Sequence, residues 1–572
     1  MDTQRLILWL IFSFSAVMLW NAWERDHNPP PTTTPVTQSA PQPAGVPPVA
    51  TAPAGAPPAP SAAVGPGAAS PAAPPAATAP VAGQTIEVRT DLFVADIDTV
   101  GGIVSRVALD KHRDSQDPSK PYLALQRNPE RVFVAQAGLI GEGFPNHRTV
   151  YEPLPGPRAL AVGQDQLQLK LQATGANGDK VVQTLTFHRG SYVIDVAFEV
   201  TNAGTAPIRP EAYFQLMRDT KHVGVQSSMA PASFVGPVVY NEQDKFKKID
   251  FGEIDKEAAD PSRKPAYTRS TDNGWIGMIE HYFVAAWLPP DNEKFPRQFY
   301  TNKFDNGLYT AGVRYADGTI PPGGSGVIQS RLYVGPQDQN VLGQLAPGLD
   351  LVVDYGIFTI IAAPLFLLLK WLHSLLGNWG WAIIVMTIMI KGAFFPLNAA
   401  SARSMGKMKI IAPKMKALQE QYANDKQQLQ VKMMELYRQE KINPLGGCLP
   451  IVVQIPVFIA LYWVLLSAVE LRHAPWIGWI HDLSAPDPWF ILPVVYAVTA
   501  YLQVKLSPTP ISDPVQAKVM QFMPVAFSIM FLFFPSGLVL YWLVNNLLQI
   551  AQQWQMNRML ERESALAAAR RR

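Results

Sequence analysis

The sequence predicts an α-helical polytopic membrane protein with six spans that carries a large antiparallel β-sandwich on the outer side. Three observations lead there. Residues 85–344 alternate apolar and polar at period two between turn residues, and residues beyond 349 fall into long apolar stretches. The excess basic charge of that second half gathers in two places, which orients the spans. Composition agrees with a chain of two characters: of 572 residues, 48% are hydrophobic and 16% charged, and mean hydropathy is +0.04. The net charge of +3 is too small to imply nucleic acid, and no DNA partner is expected. A single cysteine, Cys448, excludes an intrachain disulfide.

Taken in order, residues 1–27 form an N-terminal signal anchor: Leu6 to Trp20 is apolar, Arg5 precedes it, and Trp20 and Trp23 suit an interface. A small-x-small cleavage site does not follow the apolar run, so retention is expected over cleavage. Residues 28–84 are Pro- and Ala-rich and contain no Lys, Arg, Asp or Glu, which makes them a disordered linker. Residues 85–348 form the β-sandwich. Its clearest strand is Gln166-Leu167-Gln168-Leu169-Lys170-Leu171-Gln172, with partial alternation over Val182–Phe187 and Tyr192–Val200 and a turn at Thr201-Asn202-Ala203-Gly204.

Beyond Leu349, apolar stretches occupy 356–376, 379–399, 449–470, 488–506, 518–534 and 536–556. Between the second and third lies a charged, Met-rich helical hairpin, 401–443, split at Ala423-Asn424-Asp425, where Asn424 or Asp425 can cap the second helix. Over 401–441 nine basic residues face four acidic ones, a net +5, so the hairpin belongs in the cytoplasm. The tail 557–572 has five Arg against two Glu, a net +3, and belongs on the same side. The loop 471–488 is net −1 and carries Trp476 and Trp479, which fits the outer interface.

Parity then selects the spans. A chain that leaves an outer β domain and reaches a cytoplasmic hairpin crosses an odd number of times. Two apolar stretches intervene, so only one crosses. Residues 349–378, broken by Pro364 and carrying Lys370 and His373, are assigned to an amphipathic helix on the outer surface. Span 2 is then 379–400, and 444–556 holds spans 3–6. The stretch Val519–Phe534 reaches only about 24 Å, short of the roughly 30 Å hydrocarbon core, so local thinning is expected there.

Lys391 stands alone in an apolar span. A Lys at bilayer depth costs about 2.5–3.5 kcal/mol and normally faces protein or water. It sits about seven residues, roughly 10 Å, from the cytoplasmic end, so snorkelling explains it equally well. The last span adds Tyr541, Asn545, Leu548 and Gln552 along one face, with Asn546, Gln549 and Gln553 beside it; Gln454 and Gln503 add amides elsewhere. Interhelical hydrogen bonding accounts for any single amide, but taken with Lys391 they suggest a hydrated cavity. The hairpin methionines Met405, Met408, Met415, Met433 and Met434 suit either a client surface or packing between its helices. The motifs GxxxxGK(S/T), HExxH and GxSxG are missing from the sequence, and His112, His147, His188, His222 and His281 lack metal-ligand spacing. Neither an enzyme nor a cofactor nor a metal site is expected.

Lys441-Ile442-Asn443-Pro444-Leu445-Gly446-Gly447-Cys448-Leu449-Pro450 and Phe534-Pro535-Ser536-Gly537-Leu538-Val539-Leu540-Tyr541-Trp542 resemble hallmark segments of the YidC-type membrane protein insertases, and Trp479-Ile480-His481-Asp482-Leu483-Ser484 resembles their outer loop. The resemblance covers Leu349 to about Arg558, and the anchor, linker and β region fit the family's long form. It implies a bacterial inner-membrane protein with a five-helix insertase core, a large periplasmic domain and a cytoplasmic C-terminus. It also implies a hydrophilic groove open to cytoplasm and lipid, with one positive charge at Lys391. Members often have Arg there; Lys keeps the charge without the bidentate fork. The family's client surface points to Thr387 and Trp542, and the groove set becomes Lys391, Thr387, Gln454, Asn545, Gln549, Trp542 and Tyr541. Nascent membrane-protein clients, membrane lipids, the Sec translocon and, through the basic tail, the ribosome are the partners implied. The β region resembles a sugar-mutarotase-like sandwich, to which no catalysis is assigned. A solute transporter is the alternative, although the spans show no internal repeat.

Overall fold

The computed structural model describes residues 83–114, 117–221, 234–259, 266–290, 295–316, 318–422, 425–440, 449–506, 522–523 and 525–571. The anchor 1–27, nearly all of the linker 28–84 and the hallmark run 441–448 therefore lie outside the described residues.

The period-two region forms two antiparallel sheets. With strands numbered in chain order, the first sheet runs β1 (Thr85–Arg89), β2 (Phe93–Asp98), β3 (Ile103–Arg113), β4 (Pro121–Arg127), β5 (Val132–Ile140), β10 (Glu211–Arg218), β17 (Tyr309–Ala316), β16 (Arg297–Lys303) and β13 (Thr268–Thr271). The second runs β12 (Lys245–Lys248), β11 (Gly236–Asn241), β14 (Trp275–Glu280), β15 (Phe283–Leu288), β18 (Ser325–Pro336), β9 (Val193–Thr201), β8 (Lys180–His188), β7 (Gln166–Thr174) and β6 (Glu152–Pro153). The alternation of β7 fixes its register: Leu167, Leu169 and Leu171 are buried, while the glutamines and Lys170 between them face out. The expected turn after β9 forms around Asn202, whose Oδ1 accepts from Gly204 N at 2.9 Å.

Strands β14 and β15 break the alternation, for every residue in both is buried. Ile276, Met278, Phe283, Ala285 and Trp287 fill the space between the sheets. Trp275, Ile279, Val284, Ala286 and Leu288 face the other way, into a second core shared with helix α2 (Gln339–Leu345), residues 349–355 and the apolar helices. A strand covered on both faces reads as a continuous apolar run. The sandwich and the helical half thus share one core. Helix α1 (Phe251–Ala259) lies between β12 and β13 in sequence.

The helical half begins with α3 (Thr359–Leu376), which buries Ala362, Phe366, Leu369 and Leu372 and exposes Ile360, Leu367, Trp371 and Leu375. It ends at Gly377, whose left-handed φ of 66° lets its N–H return to His373 O. Asn378 then caps α4 (Trp379–Ala393), its Oδ1 accepting from Gly380 N at 2.9 Å and Trp381 N at 3.2 Å. The sequence places span 2 at 379–400. It bends by 55° at Phe394, and α5 (Phe395–Gln421) runs from that bend into the hairpin. Pro396 in the first turn of α5 suits a helix start and leaves no N–H to continue α4.

Helix α6 (Lys426–Gln439) is capped by Asp425, which accepts from Gln428 N at 3.0 Å. The hairpin is held by Ile411 and Leu436, with Met415, Leu418 and Tyr437 packed beside them. Met415 is therefore a packing residue, whereas Met434 is exposed. Helices α7 (Leu449–Ser467) and α8 (Ile491–Leu506) follow. Of the stretch 518–534, the described part ends in a 3₁₀ turn, Met530–Phe533. The last span and the basic tail, expected as separate pieces, form one continuous helix, α9 (Ser536–Arg571); no Pro or Gly falls after Gly537 to break it. Among the described residues, α3 alone is long and apolar enough to cross a membrane as a single helix, and α4 with residues 395–401 qualifies as a bent pair.

Candidate functional site

Helix α4 carries Thr387 and Lys391 one turn apart on its buried side. Lys391 is only 7% exposed, and its Nζ donates to Gln549 Oε1 of α9 at 2.8 Å. The ammonium is thus held inside the helix packing by a neutral amide. The Thr387 hydroxyl donates to Ile383 O at 2.7 Å, one turn back on its own helix, so its donor is already used.

Helix α9 presents further amides to three neighbours. Gln454 Nε2 of α7 donates to Asn545 Oδ1 at 3.2 Å. Asn546 Nδ2 donates to Thr499 Oγ1 of α8 at 2.9 Å. One turn below Lys391's partner, Asn398 Nδ2 of α5 donates to Gln552 Oε1 at 3.3 Å. The polar residues of α9 therefore turn toward different helices. The structure brings Lys391 to Gln549 and Gln454 to Asn545, but not into a single network.

Tyr541 and Trp542 belong to a different environment. Tyr541 is fully buried and lies parallel to Phe458, with ring centroids 6.1 Å apart. Trp542 meets Phe458 edge-on at 4.3 Å and Phe531 at 5.1 Å. Their heptad-like spacing to Asn545 gave no sign that α7 would supply a phenylalanine there. Asn398 and Thr499 were missed. Asn398 lies seven residues after Lys391, two turns along the same face, and that spacing could have flagged it. Thr499, an isolated hydroxyl in an apolar helix, gave no usable signal.

The N-terminal ends of α4 and α9 are joined by the loop 468–490. Asn378 Nδ2 donates to Pro475 O at 3.1 Å and Trp476 O at 3.2 Å. Ser536 N donates to Ala485 O at 2.7 Å, and Gly537 N to Leu483 O at 2.9 Å. Asp487, fully buried, accepts from Trp479 Nε1 at 3.0 Å, Trp489 N at 3.0 Å and Leu492 N at 2.7 Å, which fixes the loop against α8.

A two-sheet β-sandwich fused by a shared core to a bundle of apolar helices, with a buried lysine bonded to an amide inside that bundle, defines the class: a chain with a β domain and an apolar helical half built as one unit. Comparison with known proteins makes the class specific. Residues 371–563 match the family model of the 60Kd inner membrane protein, and residues 85–368 match that of the YidC periplasmic domain. The membrane protein insertase YidC of Aromatoleum aromaticum is 50% identical over 567 residues, covering 99% of each chain. That of Cupriavidus necator is 50% identical over 576 residues, covering 100% of each. A solved structure of an active YidC insertase aligns over 82% of this chain and 91% of its own at 18% identity and TM-score 0.36. A galactose mutarotase related enzyme from Lactobacillus acidophilus aligns over 44% of this chain and 97% of its own at 8% identity and TM-score 0.30. Alignments that loose fix no residue correspondences.

The chain belongs to the YidC family of membrane protein insertases. It is a non-enzymatic insertase and chaperone of the inner membrane with a periplasmic β-sandwich domain, and its clients are nascent membrane proteins. The solute-transporter alternative falls with that membership.

Proposed function

We propose that Lys391 and the amides around it line a hydrophilic groove that accepts the polar end of a client and lowers the cost of drawing it into the bilayer. One observation carries this reading: Lys391 is buried, and its partner is the neutral amide of Gln549. A charge held by an amide keeps the capacity to attract a carboxylate or a polar backbone, which a tight ion pair would lack. The client's apolar helix then leaves along α4 and α9 into lipid, where Trp542 offers an aromatic edge. Thr387, Gln454, Asn545 and Tyr541 shape the wall between Lys391 and the outer end.

The groove implies a topology of six spans: the anchor, α4 and the four in 444–556, with the hairpin and C-terminus in the cytoplasm. In this reading α3 lies along the outer surface. What supports it is that the segment leading into α3 and the third turn of α3 both contact the β domain or its neighbouring helix. Asp354, just before α3, pairs with Lys248 of β12, and Lys370 lies 4.0 Å from Asp338, the cap of α2. Lys370 lies eleven helical steps beyond Thr359, about 16 Å along the axis. A crossing helix would carry Lys370 that far from the sandwich. The +3 tail suits ribosomal RNA or anionic lipid, and the Sec translocon is a further partner in this scheme.

The test is client insertion in cells depleted of the native insertase and supplied with Lys391→Arg, Lys391→Ala or Lys391→Glu. Arg keeps insertion near the parent level. Ala lowers it about tenfold, the scale of one charge-assisted hydrogen bond. Glu lowers it further for clients whose outer segment is acidic. Equal insertion by all four proteins would remove the charge from the mechanism.

A further inference from the structure

The helix pair that holds Lys391 and Gln549 is bolted together at its outer end by the loop 468–490, and that loop has a second partner above it. Arg472 leaves the loop and enters the sandwich, where its guanidinium carbon lies 5.2 Å from the Tyr122 ring centre and 5.4 Å from that of Phe283. Tyr122 of β4 and Phe283 of β15 come from different sheets and stack on each other at 3.9 Å and 15°. His112 of β3 closes the side, edge-on to Phe283 at 5.3 Å. Strands from both sheets thus converge on one loop arginine.

The cage is anchored from within the sandwich. Tyr122 Oη donates to Glu280 Oε2 at 3.1 Å. Glu280, itself buried, is held by Arg131 and, at 3.0 Å, by Arg218. This buried triad has no part in the groove; its position fixes the orientation of the ring on which Arg472 rests. Two more contacts cross the same seam. His281, in the β14–β15 turn, donates through Nε2 to Leu466 O at 3.1 Å. His473 donates to Arg113 O at 3.3 Å and faces Asp482 at 3.1 Å through its other nitrogen.

We propose that the β-sandwich braces the outer loop through Arg472 and so keeps the outer ends of α4 and α9 closed over the buried helix interior. The bracing contact is a cation lying beside the stacked Tyr122 and Phe283 rings, within about 5.5 Å of both centres. The loop carries the restraint to Asn378 and Trp476 on the α4 side and to Ser536 and Gly537 on the α9 side. The closed end is the outer closure of the groove proposed above, and in that respect the inference rests on that reading.

The test reads closure directly, without insertion. In the full-length Cys448→Ser protein in right-side-out proteoliposomes, Ile383→Cys places a thiol at a fully buried position beneath the loop. Ile383 Cδ1 lies 3.4 Å from where a Cβ on Gly537 would sit. A membrane-impermeant maleimide added outside labels it slowly. Adding Arg472→Ala raises the labelling rate about tenfold, and Arg472→Lys, which keeps the charge, raises it less. Tyr122→Leu gives the same increase from the other side of the seam, and combined with Arg472→Ala it adds nothing more. An unchanged rate in Arg472→Ala overturns the proposal, and so do additive effects of the two substitutions. A raised labelling rate together with Lys391 variants that insert clients normally sinks the groove and leaves the brace standing. Lost insertion in the Lys391 variants with unchanged labelling in Arg472→Ala does the reverse.

Discussion

At the scale of single residues, charge and burial compete, and the outcome differs from site to site. Lys391 is buried against the neutral amide of Gln549, whereas the cost of burying Glu280 is outweighed by two guanidinium groups that hold its carboxyl below the usual carboxylate range. Histidines of the sandwich resolve the same competition by staying neutral. Burial is the main cause for both His112 and His147, with Arg472 and His473 adding to it at His112 and Arg148 at His147, and each is lowered to about 4. The unfolded chain takes up these protons near pH 6.5, so between 6.5 and 4 it binds more protons than the folded one. Their contribution to stability is therefore complete above 6.5 and lost as pH falls toward 4. Melting temperatures of the detergent-solubilised protein are expected to fall over that window, and His112→Gln with His147→Gln is expected to flatten the fall. A slope unchanged by the double substitution would place the acid sensitivity elsewhere.

At the scale of elements, helix ends decide the architecture. The turn from α3 to α4 needs Gly377 for its left-handed step and Asn378 for two jobs, capping α4 and gripping the loop 468–490. Asn378→Ala is expected to destabilise by about 1–2 kcal/mol, since it removes a cap and two loop bonds together. Gly380 serves close approach: a Cβ there would sit 2.2 Å from Trp476 Cδ1. Gly380→Val forces the loop away from α4 and is expected to cost about 1–3 kcal/mol, seen as a lower melting temperature. The same substitution at Gly392, where nothing lies within 4 Å of the added Cβ, serves as the control.

At the scale of the whole molecule, the sandwich and the helical half are joined by a shared core, not by a flexible tether. Strands β14 and β15 bury one face in each. Removing the carboxylate of the buried triad leaves Arg131 and Arg218 facing each other without compensation. Glu280→Ala is expected to destabilise the full-length protein by about 3–5 kcal/mol. Glu280→Gln is expected to cost less, because the amide oxygen still accepts from Arg131. A denaturant titration of the two variants separates them.

The sequence by itself determined the division of the chain, the sandwich, the apolar helices, the capped hairpin and the prominence of Lys391. Each of these rests on a local signal: a period of two or of 3.6, a cap, or a charge where the neighbours are apolar. It was silent wherever the deciding partner lies far along the chain. The distribution of the α9 amides among four helices depends on how elements pack, whereas the bend at Phe394 and the unbroken α9 have local causes in Pro396 and in the run without Pro or Gly after Gly537. The polar face read from Tyr541 to Gln552 is real as a spacing, but packing sends Tyr541 to Phe458, Asn545 to Gln454 and Gln552 to Asn398. Arg472 is the extreme case. In the sequence it is the one Lys or Arg of the loop 471–488, and only the tertiary structure brings Tyr122, some 350 residues earlier, beside it. A cation–ring contact acts over a few ångströms and leaves no periodic trace in either segment, so nothing in the sequence could announce it.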